Sequence, residues 1–83
     1  MALAEVPSPL PGVFYRRPEP TAEPFVAEGQ RVTDEDVIGV IEVMKQFLDL
    51  EAGVSGTIVK FCVENGAEIT AGQVLAIIDT SAS

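Results

Sequence analysis

Val26-Ala-Glu-Gly-Gln-Arg-Val-Thr-Asp-Glu-Asp-Val-Ile-Gly-Val-Ile-Glu42 decides the reading of this 83-residue chain. Its pattern returns 37 positions later as Val63-Glu-Asn-Gly-Ala-Glu-Ile-Thr-Ala-Gly-Gln-Val-Leu-Ala-Ile-Ile-Asp79. Five of the 17 aligned pairs are identical: Val26/Val63, Gly29/Gly66, Thr33/Thr70, Val37/Val74 and Ile41/Ile78. Val32/Ile69, Ile38/Leu75, Val40/Ile77 and Glu42/Asp79 are conservative. Glycine and apolar positions stay in phase together, which marks two structurally similar halves.

Taken alone, the first copy reads as a helix. Thr33 and Asp36 resemble a capping pair, and Val37, Val40, Ile41, Met44 and Leu48 recur at helical spacing before Gly53. Against this, Val37, Ile38, Val40, Ile41 and Val43 are β-branched, and Gly39 in a helix interior costs about 1 kcal/mol relative to Ala. The second copy, Gln73 to Asp79, is of strand length and is followed only by Thr80-Ser-Ala-Ser83. The repeat therefore assigns strand to both copies.

Working outward, each copy follows another glycine-led apolar stretch, Gly12-Val-Phe-Tyr15 and Gly56-Thr-Ile-Val-Lys-Phe-Cys-Val63. Gly56 precedes Gly66 by ten residues and Gly12 precedes Gly29 by 17, so the first half carries seven extra residues within Arg16-Arg-Pro-Glu-Pro-Thr-Ala-Glu-Pro24. So many prolines exclude a helix or a central strand and favour a stiff projecting loop. After Lys45, Leu48, Leu50 and Ala52 alternate with Asp49 and Glu51, as in a half-buried strand. Strands are predicted near 11–15, 24–28, 37–43, 46–52, 57–63 and 74–79, in an all-β antiparallel sandwich or barrel.

Composition narrows the chemistry. Five Lys plus Arg against 13 Asp plus Glu give a net charge of −8, which argues against a nucleic-acid partner. The chain has no His and one Cys, so it lacks the usual ligands of a zinc site and the parts of a Ser-His-Asp triad. Cys62 has no partner for an internal disulfide and is expected to be a small core residue within a strand. Apolar runs such as Val37–Ile41 fall far short of the roughly 20 residues that span a bilayer. No basic region precedes an apolar stretch at the N-terminus, so a cytoplasmic protein without membrane association is expected.

Met44 and Lys45 join two predicted strands, which puts an ammonium group at a hairpin tip. On spacing alone, a solvated turn that simply tolerates a lysine is the favoured explanation. Glu42-Val43-Met44-Lys45 nevertheless resembles the attachment motif of the biotinyl domains, set mid-chain between two glycine-spaced repeats as in that family. The similarity continues through Pro9 to Tyr15, Pro24 to Gly29, Glu51-Ala-Gly-Val-Ser-Gly56, Val63 to Gly66 and Gly72 to Leu75, and is greatest with the family's carboxyl carrier members. There the extra loop is called the thumb, and the insertion at 16–24 falls where the family places it.

The resemblance implies a flattened barrel-sandwich hybrid of two four-stranded antiparallel sheets with a pseudo-two-fold repeat. Residues 9–79 would form the domain, with 1–8 an N-terminal tail or linker remnant and 80–83 a C-terminal tail. Lys45 would carry covalent biotin attached by a biotin ligase, which would read Glu42, Val43, Met44, Gln46 and Phe47. The thumb residues Pro18, Glu19, Pro20, Thr21, Ala22 and Glu23 would contact the biotin ring, and Arg16-Arg17 are candidates to dock an acidic partner. The chain would then be a non-catalytic carrier, taking a carboxyl group from a biotin carboxylase subunit to a carboxyltransferase subunit. The acceptor would be an acyl-CoA such as acetyl-CoA. The fold also resembles the lipoyl domains, but Met44 before the lysine and Gln46 after it match biotin attachment better. The family usually has Ala at Val43 and an apolar residue at Gln46, so both positions depart from its pattern. The alternatives are a lipoyl carrier of a 2-oxoacid dehydrogenase system and an unmodified β-scaffold.

Overall fold

Residues that resemble a helix cap close tight turns instead. In a computed structural model describing residues 1–81, the Thr33 N–H donates to Asp36 Oδ2 at 2.8 Å, and the Asp36 N–H donates back to the Thr33 carbonyl at 3.1 Å. Thr70 and Gln73 repeat both bonds in the second copy, at 2.9 and 3.1 Å. Each turn delivers the chain into a β-branched strand, Val37–Val43 or Val74–Asp79. Local side-chain bonding here competes successfully with helix initiation.

Among the described residues eight strands form: β1 Leu3–Pro7, β2 Gly12–Tyr15, β3 Arg31–Val32, β4 Val37–Val43, β5 Gln46–Glu51, β6 Gly56–Phe61, β7 Ala67–Ile69 and β8 Val74–Asp79. They make two four-stranded sheets, ordered β1-β8-β6-β3 and β5-β4-β2-β7, and every pairing is antiparallel. The internal symmetry is legible in these orders, because replacing β1, β2, β3 and β4 by β5, β6, β7 and β8 converts one sheet into the other. Thus Val32 pairs with Gly56 just as Ile69 pairs with Gly12.

The two sheets enclose one core built from symmetry-related pairs. Phe14 opposite Ile41 corresponds to Ile58 opposite Ile78, and all four side chains are buried. Val32 and Ile69, and Ile38 and Leu75, complete the pattern from the repeat itself. Gly12 and Gly56 lie where backbones approach most closely. A Cβ at Gly12 would sit 2.5 Å from the Glu42 carbonyl oxygen, and one at Gly56 would meet the Asp79 carbonyl oxygen, its symmetry equivalent.

Three expectations are corrected, and two short strands are added. Residues 24–28 form no strand: Phe25 bonds to the Arg16 carbonyl at 2.9 Å, and Ala27 and Gln30 close a turn, so the apolar signal there reports burial of Val26 rather than a ladder. The segment 1–8 is not a free tail, since Leu3–Pro7 pair with β8 as an edge strand, the location where a proline is tolerated. The two short strands β3 and β7 had no apolar run long enough to announce them.

Cys62 lies beyond the end of β6 and is exposed rather than buried. A register shift between Ile58 and Lys60 accounts for this, because one extra residue inverts the alternation and turns Phe61 toward the core instead of Cys62. Of the expected tail at 80–83, the Thr80 N–H donates to the Ala2 carbonyl at 2.8 Å and Ser81 bonds to Asp79. Residues 82–83 lie outside the described residues.

Candidate functional site

Val43 and Gln46 are the last partners of the β4–β5 ladder, so Met44 and Lys45 alone make the loop. Both have positive φ, 51° and 66°. That is the geometry of a type I′ hairpin turn, whose twist matches the strands and which ordinarily recruits Asn-Gly. For side chains such as these the left-handed region costs about 1–2 kcal/mol per residue. Strain kept at a two-residue tip is characteristic of functional positions. Met44 is 91% exposed and Lys45 is also exposed, so neither side chain is held there by packing.

The residues around the tip divide into two groups. Val43 packs partly against the core, while Gln46 is exposed. Glu42 and Phe47 face each other across the ladder, and Phe47 is 61% exposed. Tyr15 of β2 completes a cluster over three strands: its hydroxyl donates to Glu42 Oε1 at 3.3 Å, and its ring centroid lies 6.5 Å from that of Phe47. Loss of solvation first, and the Glu42 carboxylate second, raise the Tyr15 pKa above the usual phenol value.

A groove of about 360 Å³ lies between this cluster and the thumb. Tyr15, Val40, Glu42 and Phe47 line the sheet side, and Arg17, Pro18, Glu19 and Pro20 line the thumb side, with Asn65 also contributing. This volume is at the lower end of small-molecule sites. Of the thumb residues expected to face a ligand, Pro18, Glu19 and Pro20 line the groove, whereas Thr21, Ala22 and Glu23 do not. Thr21 instead donates to Glu19 Oε1 at 3.1 Å, and the Ala22 carbonyl accepts from Arg17 Nη1 at 2.8 Å.

The neck of the thumb is held by Arg16. Its N–H donates to Asn65 Oδ1 at 2.7 Å, its carbonyl accepts from Phe25, and its guanidinium carbon lies 4.2 Å from the centroid of the Phe61 ring. Arg16 Nε is buried without a hydrogen-bond partner, so the ring face is its compensating contact. Arg16 and Arg17, read from the sequence as a docking pair, are thus engaged within the domain. Tyr15, Val40 and Asn65 are groove residues that sequence reasoning did not single out, and Arg17, read there as half of a docking pair, lines the groove with them. For Tyr15 a signal existed, as the last residue of a strand running into the inserted loop.

The pseudo-two-fold places this hairpin in relation to the chain ends. The connection from β4 to β5 corresponds to the gap between the end of β8 and the start of β1, where Thr80 and Ala2 bond. The tip is therefore related by symmetry to the junction between the end of β8 and the start of β1, on the other sheet.

Comparison with known proteins agrees with this geometry. The family model described as "Biotin-requiring enzyme", which covers biotin and lipoyl attachment domains, matches residues 4–78. The chain is 44% identical over 73 residues to the biotin carboxyl carrier protein of acetyl-CoA carboxylase from Pseudomonas aeruginosa, covering 88% of this chain and 47% of that protein. It is 41% identical over 73 residues to the protein of the same name from Nostoc sp., covering 88% and 40%. The chain thus spans less than half the length of these curated relatives. Among solved structures, Kluyveromyces lactis urea carboxylase superposes with a TM-score of 0.77 at 28% identity, over 95% of this chain and 6% of that one. A fold of two symmetry-related halves, a lysine at a strained hairpin tip and a family match along nearly the whole chain agree: the chain belongs to the biotin and lipoyl attachment domain family.

Proposed function

We propose that this chain is the biotin carboxyl carrier domain of a biotin-dependent carboxylase, with Lys45 as the attachment point. The observation that carries the reading is Lys45 itself, exposed in a two-residue turn where it and Met44 both hold positive φ. The reported relatives named as biotin carboxyl carrier proteins support biotin over lipoate.

The residues present suit such a group. A lysine ammonium has no free electron pair, so an external biotin ligase must supply both an activated acyl donor and the means of deprotonation. Amide formation would join Nζ to the acyl carbon, expel the activating group and release the amine proton. The carrier contributes placement: a tip that offers Nζ without obstruction, flanked by Glu42, Val43, Met44, Gln46 and Phe47 for the ligase to read. The groove supplies a wall of Tyr15 and Phe47 rings and prolines beside the Glu42 carboxylate, fitting a small bicyclic ring with polar ureido atoms.

When bound, biotin supplies a ureido nitrogen that carries a carboxyl group between two active sites. Tethering replaces diffusion by a high local concentration at each of them. The partners under this reading are a biotin ligase, a biotin carboxylase subunit and a carboxyltransferase subunit in the cytoplasm, and the chain itself performs no catalysis. The carboxyl acceptor would be an acyl-CoA such as acetyl-CoA. No helix among the described residues is long and apolar enough to cross a membrane.

The test is transfer of label. The ligase-treated domain, incubated with a bacterial biotin carboxylase, ATP and labelled bicarbonate, should acquire label that Lys45→Arg never acquires. Equal labelling of the two proteins would refute the assignment.

A further inference from the structure

The internal repeat provides a built-in control for the cluster beside the hairpin. By the two-fold, Tyr15 opposite Val40 corresponds to Lys60 opposite Ile77, Glu42 corresponds to Asp79, and Phe47 corresponds to Leu3. At the second site the phenol is replaced by a lysine, the aromatic by a leucine, and the carboxylate bonds to Ser81 at 2.6 Å. The bond from Tyr15 to Glu42 and the ring contact from Tyr15 to Phe47 therefore exist only in the half that bears Lys45. Neither contact is required by the fold, since the other half closes the same sheet without them.

We propose that Tyr15 is a positioning residue for the docking of this hairpin on biotin ligase, a role that rests on the carrier reading above. Glu42 precedes Lys45 by three residues and Phe47 follows it by two, so these side chains bracket the reacting amine from neighbouring strands. Phe47 is largely exposed on an edge strand, where an aromatic ring without neighbours samples several rotamers. Tyr15 packs against that ring and hydrogen-bonds the carboxylate at once, so both are presented in one arrangement before a partner arrives. Ordering them beforehand lowers the cost of association and leaves the chemical step untouched. The site thus offers an exposed aromatic anchor and a hydrogen-bonded carboxylate on the strands that flank the lysine, the kind of central contact that dominates recognition.

The experiment is steady-state kinetics of a bacterial biotin ligase on the unmodified carrier, comparing wild type, Tyr15→Phe, Glu42→Ala and the double variant, with thermal unfolding of each. Tyr15→Phe should raise the KM for the carrier about three- to tenfold, with kcat and melting temperature unchanged. The double variant should be no worse than Glu42→Ala, because the hydroxyl acts through that carboxylate. An unchanged KM in Tyr15→Phe, fully multiplicative losses in the double variant, or a loss that tracks a lowered melting temperature would each overturn the proposal. A wild-type chain that the ligase leaves unmodified would overturn the carrier reading first, which separates the two failures.

Discussion

Val43 and Gln46 face each other as the final pair of the β4–β5 ladder, leaving Met44 and Lys45 to reverse the chain with positive φ at both positions. Asn adopts the left-handed region far more readily than Met. Met44→Asn should therefore stabilise the domain by about 1 kcal/mol. At this size that is a gain of about 4–8 °C in melting temperature, readable by calorimetry. Ligase recognition should fall in the same variant, because the exposed Met44 side chain is lost.

Gly12 and Gly56 occupy equivalent positions, each pressed against the carbonyl of a repeat-end acid, Glu42 or Asp79. In each case the obstacle includes backbone, which cannot rotate aside. Gly12→Ala and Gly56→Ala should each cost about 1–3 kcal/mol in chemical denaturation. If either variant unfolds like wild type, the close approach of the strands at that point is wrong.

Positions 43 and 46 both depart from the family pattern, yet their surroundings differ. Val43 packs on the core, so Val43→Ala should lower stability by about 1 kcal/mol, whereas the exposed Gln46→Met should leave it unchanged. The combined variant should be biotinylated faster than wild type. Equal initial rates would show that neither departure hinders the ligase.

The single tyrosine permits a direct pH test. Loss of solvation and the Glu42 carboxylate raise its folded-state pKa, so the folded protein holds the phenol proton more tightly than the unfolded chain does. Stability is therefore undiminished below the ordinary phenol pKa and falls as pH rises through the folded value, where ionisation of the desolvated phenol is penalised. Ultraviolet titration should give an ionisation above that of free tyrosine, returning toward it in Glu42→Gln. Tyr15→Phe should flatten the alkaline loss of stability.

Much of this was legible in the residues because the repeat carried it. Val37–Val43 and Val74–Asp79 have the predicted strand boundaries, and the insertion before Gly29 locates the thumb without any structure. What escaped reading depended on events with no local signature. The bulge in β6 reverses which of Phe61 and Cys62 points inward, and a one-residue shift of register leaves composition unchanged. Edge strand β1 is recruited by β8 across the whole sequence, and its own residues show only weak alternation. The same holds for the groove: Pro18 to Pro20 were visible as a stiff loop, but Tyr15 and Asn65 join them only through tertiary pairing.

Lys45 as the attachment point is tested most directly by the intact mass of the protein after expression with excess biotin and an active biotin ligase, followed by fragmentation. The account predicts complete addition of one biotinoyl group, located at Lys45, and no addition in Lys45→Arg, which should melt as wild type does. A protein that stays at its unmodified mass while a control carrier is fully biotinylated alongside, or one that carries the group on Lys60 instead, would contradict it.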